Sequence, residues 1–419
     1  MMLLVLVAGF SWLLAPAAQA VDTLCMPSES TGCIAGTLRT EEGVLADVDL
    51  ILTSPSGAEE TVTTGETGKW NLSVTEEGPY TIEIVADTLP DDVETTGKGT
   101  VTAKLGATTA GLIEVRTASY SAERSFGEYL AQSTANGLRL GLLLALAAVG
   151  LSLIYGTTRL SSFSHAEQVT LGGMVAYGLV NVAGMNLWIG GLITVALCAL
   201  TGWLQDRLMW QPLRRRGLGL TQLMIVTIGL SLAMQYCFQY FVGARTVRVV
   251  QENPGVAEIG PITMTYQSFA AMGISVLVLA AVGFALLRTR VGRATRAVSD
   301  NPALAAASGI DVDKVIRLVW VVATGLAGLS GIMYALVTNG IKWDSGMQIL
   351  LLLFAAVTLG GLGTAFGALL GALIIGMVVE LSPVFGMPGD FKYATAMLIL
   401  ILLLLVRPQG LLGKAQRVG

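Results

Sequence analysis

The chain has 419 residues, 53% of them hydrophobic and 13% charged, with 50 glycines and a formal net charge of −4 at pH 7. Soluble domains carry about a quarter of their residues charged, so this balance excludes an ordinary soluble globular protein and places most of the chain in lipid. The acidic and polar content lies mainly before about residue 130, so the net charge describes a separate N-terminal region and gives no footprint for nucleic acid.

Residues 1–20 form an apolar run closing on Ala18-Gln19-Ala20, the small-x-small pattern that signal peptidase accepts. Cleavage after Ala20 is expected. No basic residue precedes the run, which keeps an uncleaved anchor as the alternative, and residue 21 onward is exported in either case. The N-terminal segment 21–35 carries Cys25 and Cys33, which an oxidising exterior permits to close as a short disulfide loop. Cys198 and Cys237 lie in apolar runs, and no zinc-type spacing links the four.

From Gly36 to about Val115 apolar residues alternate: Val48, Leu50 and Leu52, then Trp70, Leu72 and Val74, then Tyr80, Ile82 and Ile84. That pattern predicts strands with one buried face. Turn residues at Ser54–Gly57, Thr64–Gly68 and Glu77–Pro79 separate them, so a small antiparallel sandwich is expected over residues 36–115. Gly36-Thr37-Leu38, Val48-x-Leu50, Thr67-Gly68-Lys69-Trp70 and Gly78-Pro79-Tyr80 together resemble the carboxypeptidase-regulatory-like or Cna-B-like sandwiches of bacterial surface proteins. The resemblance covers about eighty residues and implies an added extracytoplasmic domain, with a ligand-free ornament as the plainer reading.

A linker is expected over residues 116–136. Beyond it, apolar segments recur at lengths suited to crossing about 30 Å of hydrocarbon: Gly137–Tyr155, Ala166–Gly184, Leu187–Gln205, Thr221–Val242, Gln267–Leu287, Leu318–Thr338, Met347–Gly361, Gly367–Leu381 and Tyr393–Val406. The expected fold class is an α-helical polytopic membrane protein of about nine membrane segments, preceded by the small all-β sandwich. Ala166–Gly184 and Met347–Gly361 are short and suit broken or re-entrant segments. Lys and Arg accumulate in cytoplasmic loops. With the sandwich outside, Arg207, Arg214–Arg216, Arg288, Arg290, Arg293, Arg296, Lys314, Arg407, Lys414 and Arg417 fall inside, whereas Arg245, Arg248, Lys342 and Lys392 fall outside. An exported N-terminus and a cytoplasmic C-terminus are therefore expected, with a plasma-membrane location.

The largest inside loop, about Arg288–Arg317, carries Arg293 and Arg296 and then a complete set of helix signals. Asn301 suits the N-cap, Pro302 the first helical position, the run around Ala305 and Ala306 the helix body, and Gly309 the left-handed stop. A short helix of small residues between basic ones suits docking into a partner's groove; a plain connector is the alternative.

Here the residues carry a second resemblance. The loop just described, Gly325–Gly331, Gln211-Pro212-Leu213-Arg214, Thr227-Ile228-Gly229-Leu230-Ser231, Gly360–Gly371 and the closing Arg407-Pro408-Gln409-Gly410-Leu411-Leu412-Gly413 look like the LivH-type permeases of the branched-chain amino-acid ABC importer family. Ser162-Phe163-Ser164-His165-Ala166-Glu167 stands where that family shows Asn-Phe-Ala-His-Gly-Glu, with departures at Ser162 and Ala166. The likeness runs in order from about Gly137 to Gly413, which defines a permease domain at 137–413 and a tail at 414–419. It implies a second permease subunit, two ATPase subunits inside, an extracytoplasmic binding protein, and the loop Arg293–Ile310 as the element that seats on the ATPase.

His165, the single histidine, stands two residues before Glu167 at the entrance to a membrane segment. Ionisable groups there are costly and mark function or mutual satisfaction, so Phe163, His165 and Glu167 are candidates for gating or the substrate path. No nucleophile with an oriented base is legible. Gly360–Gly371 lacks the Gly-Lys-Ser/Thr ending of a phosphate loop, so no cofactor is expected in this chain and ATP-driven motion must come from partners. The resemblance implies import of branched-chain amino acids as the expected function, with urea or short amides as alternative substrates; a receptor sensing through the sandwich is the alternative of another class.

Overall fold

The computed structural model describes residues 25, 27–28, 30–38, 44–85, 88–90, 93–95, 99–105, 108–110, 115–117, 125–251, 255–407 and 409–413. The expected signal peptide and the tail at 414–419 lie outside them. The chain divides into two compact units, Met1–Arg124 and Ser125–Gly419.

The first unit is β-rich. One sheet joins β1 (Gly32–Thr37) to β4 (Lys69–Val74) and β8 (Thr108–Ala110); the other has the order β3 (Glu59–Thr63), β2 (Asp49–Thr53), β5 (Gly78–Ile84), β7 (Gly99–Ala103). Two short strands, β6 (Val93–Thr95) and β9 (Val115–Thr117), pair separately. The expected alternation holds: Trp70, Leu72 and Val74 are buried along β4 while Lys69 and Ser73 face out. Ile34 and Trp70 from one sheet share a core with Leu50, Leu52 and Ile82 from the other. The pairing is not wholly antiparallel as expected, because the chain leaves the second sheet after β7 and enters the first with β8 parallel to β1. Cys25 and Cys33 form a disulfide, Cα atoms 5.9 Å apart.

The second unit is helical. α1 (Phe126–Thr158) starts within the expected linker, because Ser125 and Glu128 form a capping box that satisfies the first amides. After a non-helical stretch come α2 (His165–Ala176), prolonged by a π-helical turn to Val182, and α3 (Leu187–Arg215), with its own π-helical turn at Asp206–Trp210. α4 (Leu220–Val242) leads to a hairpin, β10 (Val256–Ile259) and β11 (Ile262–Thr265), and to α5 (Tyr266–Arg288). Then follow α6 (Arg290–Asp300), α7 (Pro302–Ala307) and α8 (Val312–Val337), which starts before the expected Leu318 because Asp311 caps it through the Lys314 amide. α9 (Ser345–Gly360), α10 (Ala365–Leu381) and α11 (Lys392–Val406) complete the unit.

Among the described residues six helices are long and apolar enough to cross a membrane: α1, α3, α4, α5, α8 and the stretch Ala365–Phe385. The nine expected segments are therefore not nine full-length helices, and α2, α9 and α11 are shorter. For α2 and α9 the reason is visible. Each is preceded by six non-helical residues that run from one end of the unit toward its middle and close on a turn. Residues 159–164 leave the end where Arg159 donates to the Ser299 carbonyl (3.1 Å), and His165 then meets the Ala147 carbonyl at mid-α1 (3.0 Å). Residues 339–344 leave the opposite end, where Ile341 pairs with Val247, and Gly346 then donates to Thr170 Oγ1 (2.7 Å).

These halves are arranged as an inverted pair. α1 and α8 cross antiparallel, with Leu143 opposite Ser330 and Gly150 opposite Ala323. α10 lies antiparallel to α1 through Gly137 and Gly141, and α3 lies antiparallel to α8 through Gly202 and Gly328. Small residues permit such close approach where lipid supplies no hydrophobic drive between helices. At Gly331 an added Cβ would lie 1.8 Å from the Val169 carbonyl oxygen, so no larger residue fits the crossing of α8 with α2.

Candidate translocation and coupling sites

The N-termini of α2 and α9 meet inside the helical unit, and the buried polar side chains gather around them. Glu167 is fully buried in the first turn of α2. Its Oε1 accepts from Gln235 Nε2 (3.0 Å) and Ser231 Oγ (3.4 Å) of α4. Its Oε2 has no aligned hydrogen bond among the described residues; it lies beside the Thr170 hydroxyl and abuts α9, where a Cβ on Gly346 would stand 2.8 Å from it. Gln168 accepts from Thr201 of α3 (3.2 Å). Neither Ser164 nor Asp344, the residues at the two N-caps, caps its helix with its side chain.

The three candidates from sequence do not form one group. Phe163 is half-buried in the non-helical stretch; its amide donates to Thr227 Oγ1 (3.3 Å) and its ring packs on Phe354 of α9, centroids 5.0 Å apart. His165 is buried, and because its Nε2 meets a carbonyl, that nitrogen carries the proton and donates to Ala147; Nδ1 has no partner. Of the two readings, function or mutual satisfaction, the second does not hold between His165 and Glu167. Two residues apart on a helix they point to nearly opposite sides, His165 to α1 and Glu167 to α4 and α9. The stripe Thr227, Ser231, Gln235 was missed in the sequence, although its spacing of four residues is the signature of one polar face on an apolar helix.

The second site lies at the basic end. Asp206, fully buried in the π-helical turn of α3, pairs with Arg214 (2.8 Å) and with Arg317 of α8 (3.4 Å). Arg215 and Gln211 bond Asp313 Oδ2 at 3.0 and 2.9 Å, and Arg317 donates to Gln211 Oε1 (2.7 Å). Trp210 and Trp320 stack alongside with centroids 5.2 Å apart. In the sequence Arg214 and Arg215 serve as topology markers, Arg214 also as part of the Gln211–Arg214 motif, and none is read as an ion-pair partner; the acid at 206 amid apolar residues was the available signal for a buried ion pair. Just outside, the Lys314 backbone amide and then its ammonium hold the Asp311 carboxyl below the usual carboxylate range.

The loop from Arg288 to Asp311 rests on this base. Asn301 Oδ1 accepts from the Leu304 amide (3.0 Å), Pro302 takes the first position of α7, and Gly309 stops the turn at φ +89°. Arg293 and Arg296 are exposed, donating to the Arg288 and Leu286 carbonyls. The alanines are not one smooth face. Ala305 is 3% exposed and packs in a cluster with Val298, Ile316, Trp210 and Trp320, whereas Ala303, Leu304, Ala306 and Ala307 are exposed.

Apolar helices that enclose broken segments with a polar centre, and a capped exposed helix at a basic end, define a polytopic membrane protein. Residues 133–406 match the family described as the branched-chain amino acid transport system / permease component, and the chain belongs to that family. It is similar to the high-affinity branched-chain amino acid transport system permease protein LivH of Salmonella typhimurium, 28% identical over 307 residues, covering 69% of this chain and 97% of the relative. The corresponding protein BraD of Pseudomonas aeruginosa is 29% identical over 307 residues, covering 68% and 96%. The probable branched-chain amino acid transport permease protein LivH of Methanocaldococcus jannaschii is 30% identical over 287 residues, covering 65% and 89%.

Proposed function

We propose that the chain is the permease subunit of an ATP-driven importer that carries branched-chain amino acids across the plasma membrane. The observation that carries this reading is the family match across nearly the whole helical unit, residues 133–406. A second permease subunit, homologous or identical, completes the pathway; two ATPase subunits supply the motion, and an extracytoplasmic binding protein delivers the solute. The exposed residues of α7 are the surface that meets an ATPase, with Arg293 and Arg296 beside it. The β-rich unit is an added extracytoplasmic sandwich.

Charge supports the orientation. Arg159, Arg207, Arg214, Arg288 and Arg296 cluster at the end that holds α7, and Arg245, Arg248 and Lys342 mark the other, so the α7 end is cytoplasmic. The alternate directions of the helices then amount to nine crossings, counting α2, α9 and α11, with the N-terminus outside. Ser162 and Ala166, the departures from the family motif, lie buried beside the polar centre, which keeps urea or short amides as a second reading. Uptake of labelled leucine, isoleucine, valine and urea by vesicles holding the whole complex tests both. Uptake of urea with no uptake of the three amino acids would replace the first reading by the second.

A further inference from the structure

The contact between α2 and α9 leaves one chemical requirement unmet. Glu167 is fully buried at the centre of the helical unit, and its polar neighbours Gln235 and Ser231 are neutral donors to Oε1 alone. Among the described residues no aligned hydrogen bond reaches Oε2, and the Thr170 hydroxyl, one turn on, stands beside it. A carboxylate taken out of water needs a cation or a full set of hydrogen bonds, and here, beside Thr170, it faces the N-terminus of α9, where a Cβ on Gly346 would stand 2.8 Å from it. The free amides of that helix end carry partial positive charge, while the Asp344 carboxylate at its N-cap makes no side-chain cap and bonds Gln348 instead. The amides of α9 and the Glu167 carboxylate are therefore the two halves of an electrostatic pair, with Asp344 a second acid at the opening.

A zwitterion is the molecule that fits between such halves. When α2 and α9 part, a carboxylate on one side faces a positive helix end on the other. An α-amino acid lying between them places its ammonium on the acid and its carboxylate on the helix amides, which is how helix N-termini receive anions. Gly346 matters for the closed state, since a Cβ there would stand 2.6 Å from both the Ala166 carbonyl and Thr170 Oγ1 and would hold the helices apart. We propose that the opening between the N-termini of α2 and α9 is the substrate site, with Glu167 Oε2 receiving the ammonium of the transported amino acid and the first turn of α9 its carboxylate. Empty, the two halves close on each other; occupied, the zwitterion bridges them. The proposal rests on the amino-acid transport reading and assigns its polar contacts.

The test is Glu167→Gln, which keeps the shape and the bonds to α4 and removes only the negative charge, with Glu167→Asp as the variant that retains the charge. The full complex with its ATPases and binding protein is reconstituted in vesicles, and leucine uptake and ATP hydrolysis are measured together at saturating binding protein. Leucine carried per ATP hydrolysed should fall by roughly thirtyfold or more in Glu167→Gln, the size of loss that follows when one partner of a buried charge pair is removed. ATP hydrolysis should persist in both variants, and Glu167→Asp should keep more transport than Glu167→Gln. Undiminished leucine per ATP in Glu167→Gln would overturn the assignment. Equal loss of transport and of ATP hydrolysis in both variants would do so too, because it marks a residue that only holds the fold. A wild-type complex that carries no branched-chain amino acid removes the transport reading itself, a result seen before any variant is compared.

Discussion

Glutamate placed at Ala305 and, separately, at Ala306 should divide a docking surface from the base that supports it. Ala306 is exposed on α7. Glutamate is nearly as good a helix former as alanine, and exposed substitutions away from special features stay within about 0.5 kcal/mol. Ala306→Glu should therefore leave the permease as stable as the wild type. Ala305 is 3% exposed among Val298, Ile316, Trp210 and Trp320. Glutamate there adds four heavy atoms beyond Cβ to a packed cluster, an overpacking that costs about 1–3 kcal/mol, and buries a charge whose removal from water costs several kcal/mol more if unpaired. The side chain escapes only by lifting α7 off α8 and the Trp210–Trp320 stack. At least about 3 kcal/mol of local stability should be lost by either route.

The assay pairs two measurements on the detergent-solubilised complex: recovery of the ATPase with the permease, and the melting temperature of the permease. Ala306→Glu should melt like the wild type yet lose the ATPase, because the charge meets the partner rather than the chain's own core. Ala305→Glu should lower the melting temperature and lose the ATPase as a consequence. Full recovery of the ATPase with Ala306→Glu, together with normal uptake, would refute the assignment of α7 as the coupling surface. An Ala305→Glu protein that melts like the wild type would refute the packing argument independently.

Two further outcomes are expected. Gly331→Ala must move α2 away from α8, since its Cβ would lie 1.8 Å from the Val169 oxygen where ordinary contact starts at 3.4 Å, a retreat of about 1.6 Å (3.4 − 1.8); a loss toward or beyond the upper end of roughly 1–3 kcal/mol is expected, and an unchanged melting temperature would contradict it. Asp311 caps α8 with a carboxyl held below its usual range by the Lys314 amide and ammonium. A depressed folded value means that the cap's pH-dependent contribution is fully present above the ordinary carboxylate range and is lost as pH falls through the folded value. Asp311→Ala should therefore melt below wild type at neutral pH, with the gap narrowing in acid, and Asp311→Asn, which caps without titrating, should show a smaller gap that narrows over the same range; a gap independent of pH for Asp311→Ala would speak against the carboxylate.

Much of the local structure was legible because its causes are local. Asn301, Pro302 and Gly309 bracket α7 as the capping rules require, and the alternation through Trp70 to Val74 gives β4 its buried face. Helix starts were misjudged where a polar residue at the boundary mattered more than hydropathy: Ser125 with Glu128, and Asp311, each draw a helix several residues beyond its apolar run. Hydropathy reports where lipid begins, whereas caps decide where the backbone turns. Ala305 and Ala306 looked equivalent for a related reason. A six-residue helix has too few turns for periodicity to say which side faces its own chain, and only the Trp210–Trp320 base separates them.

The polar centre shows where neighbourhood in sequence misleads. His165 and Glu167 read as a pair because they are two residues apart beside an apolar segment. At about 100° per residue, two positions turn nearly half a circle, so the more certain a helix is, the less such neighbours can meet. Glu167 instead finds residues 64 and 68 positions away, Ser231 and Gln235, and abuts Gly346, which follows in the opposite half of the chain. Hydropathy marked α2 and α9 as short without saying that they begin at one place, because that meeting is made by two non-helical stretches entering from opposite ends. Inversion follows from this geometry. α1 and α8 enter antiparallel, each is followed by a broken segment, and two antiparallel broken segments can bring their N-termini together only in the interior. A buried acid at that meeting point has no lysine or arginine hydrogen-bonded to it among the described residues. Its unmatched oxygen is thus the part of the site that depends least on family resemblance and most on the fold.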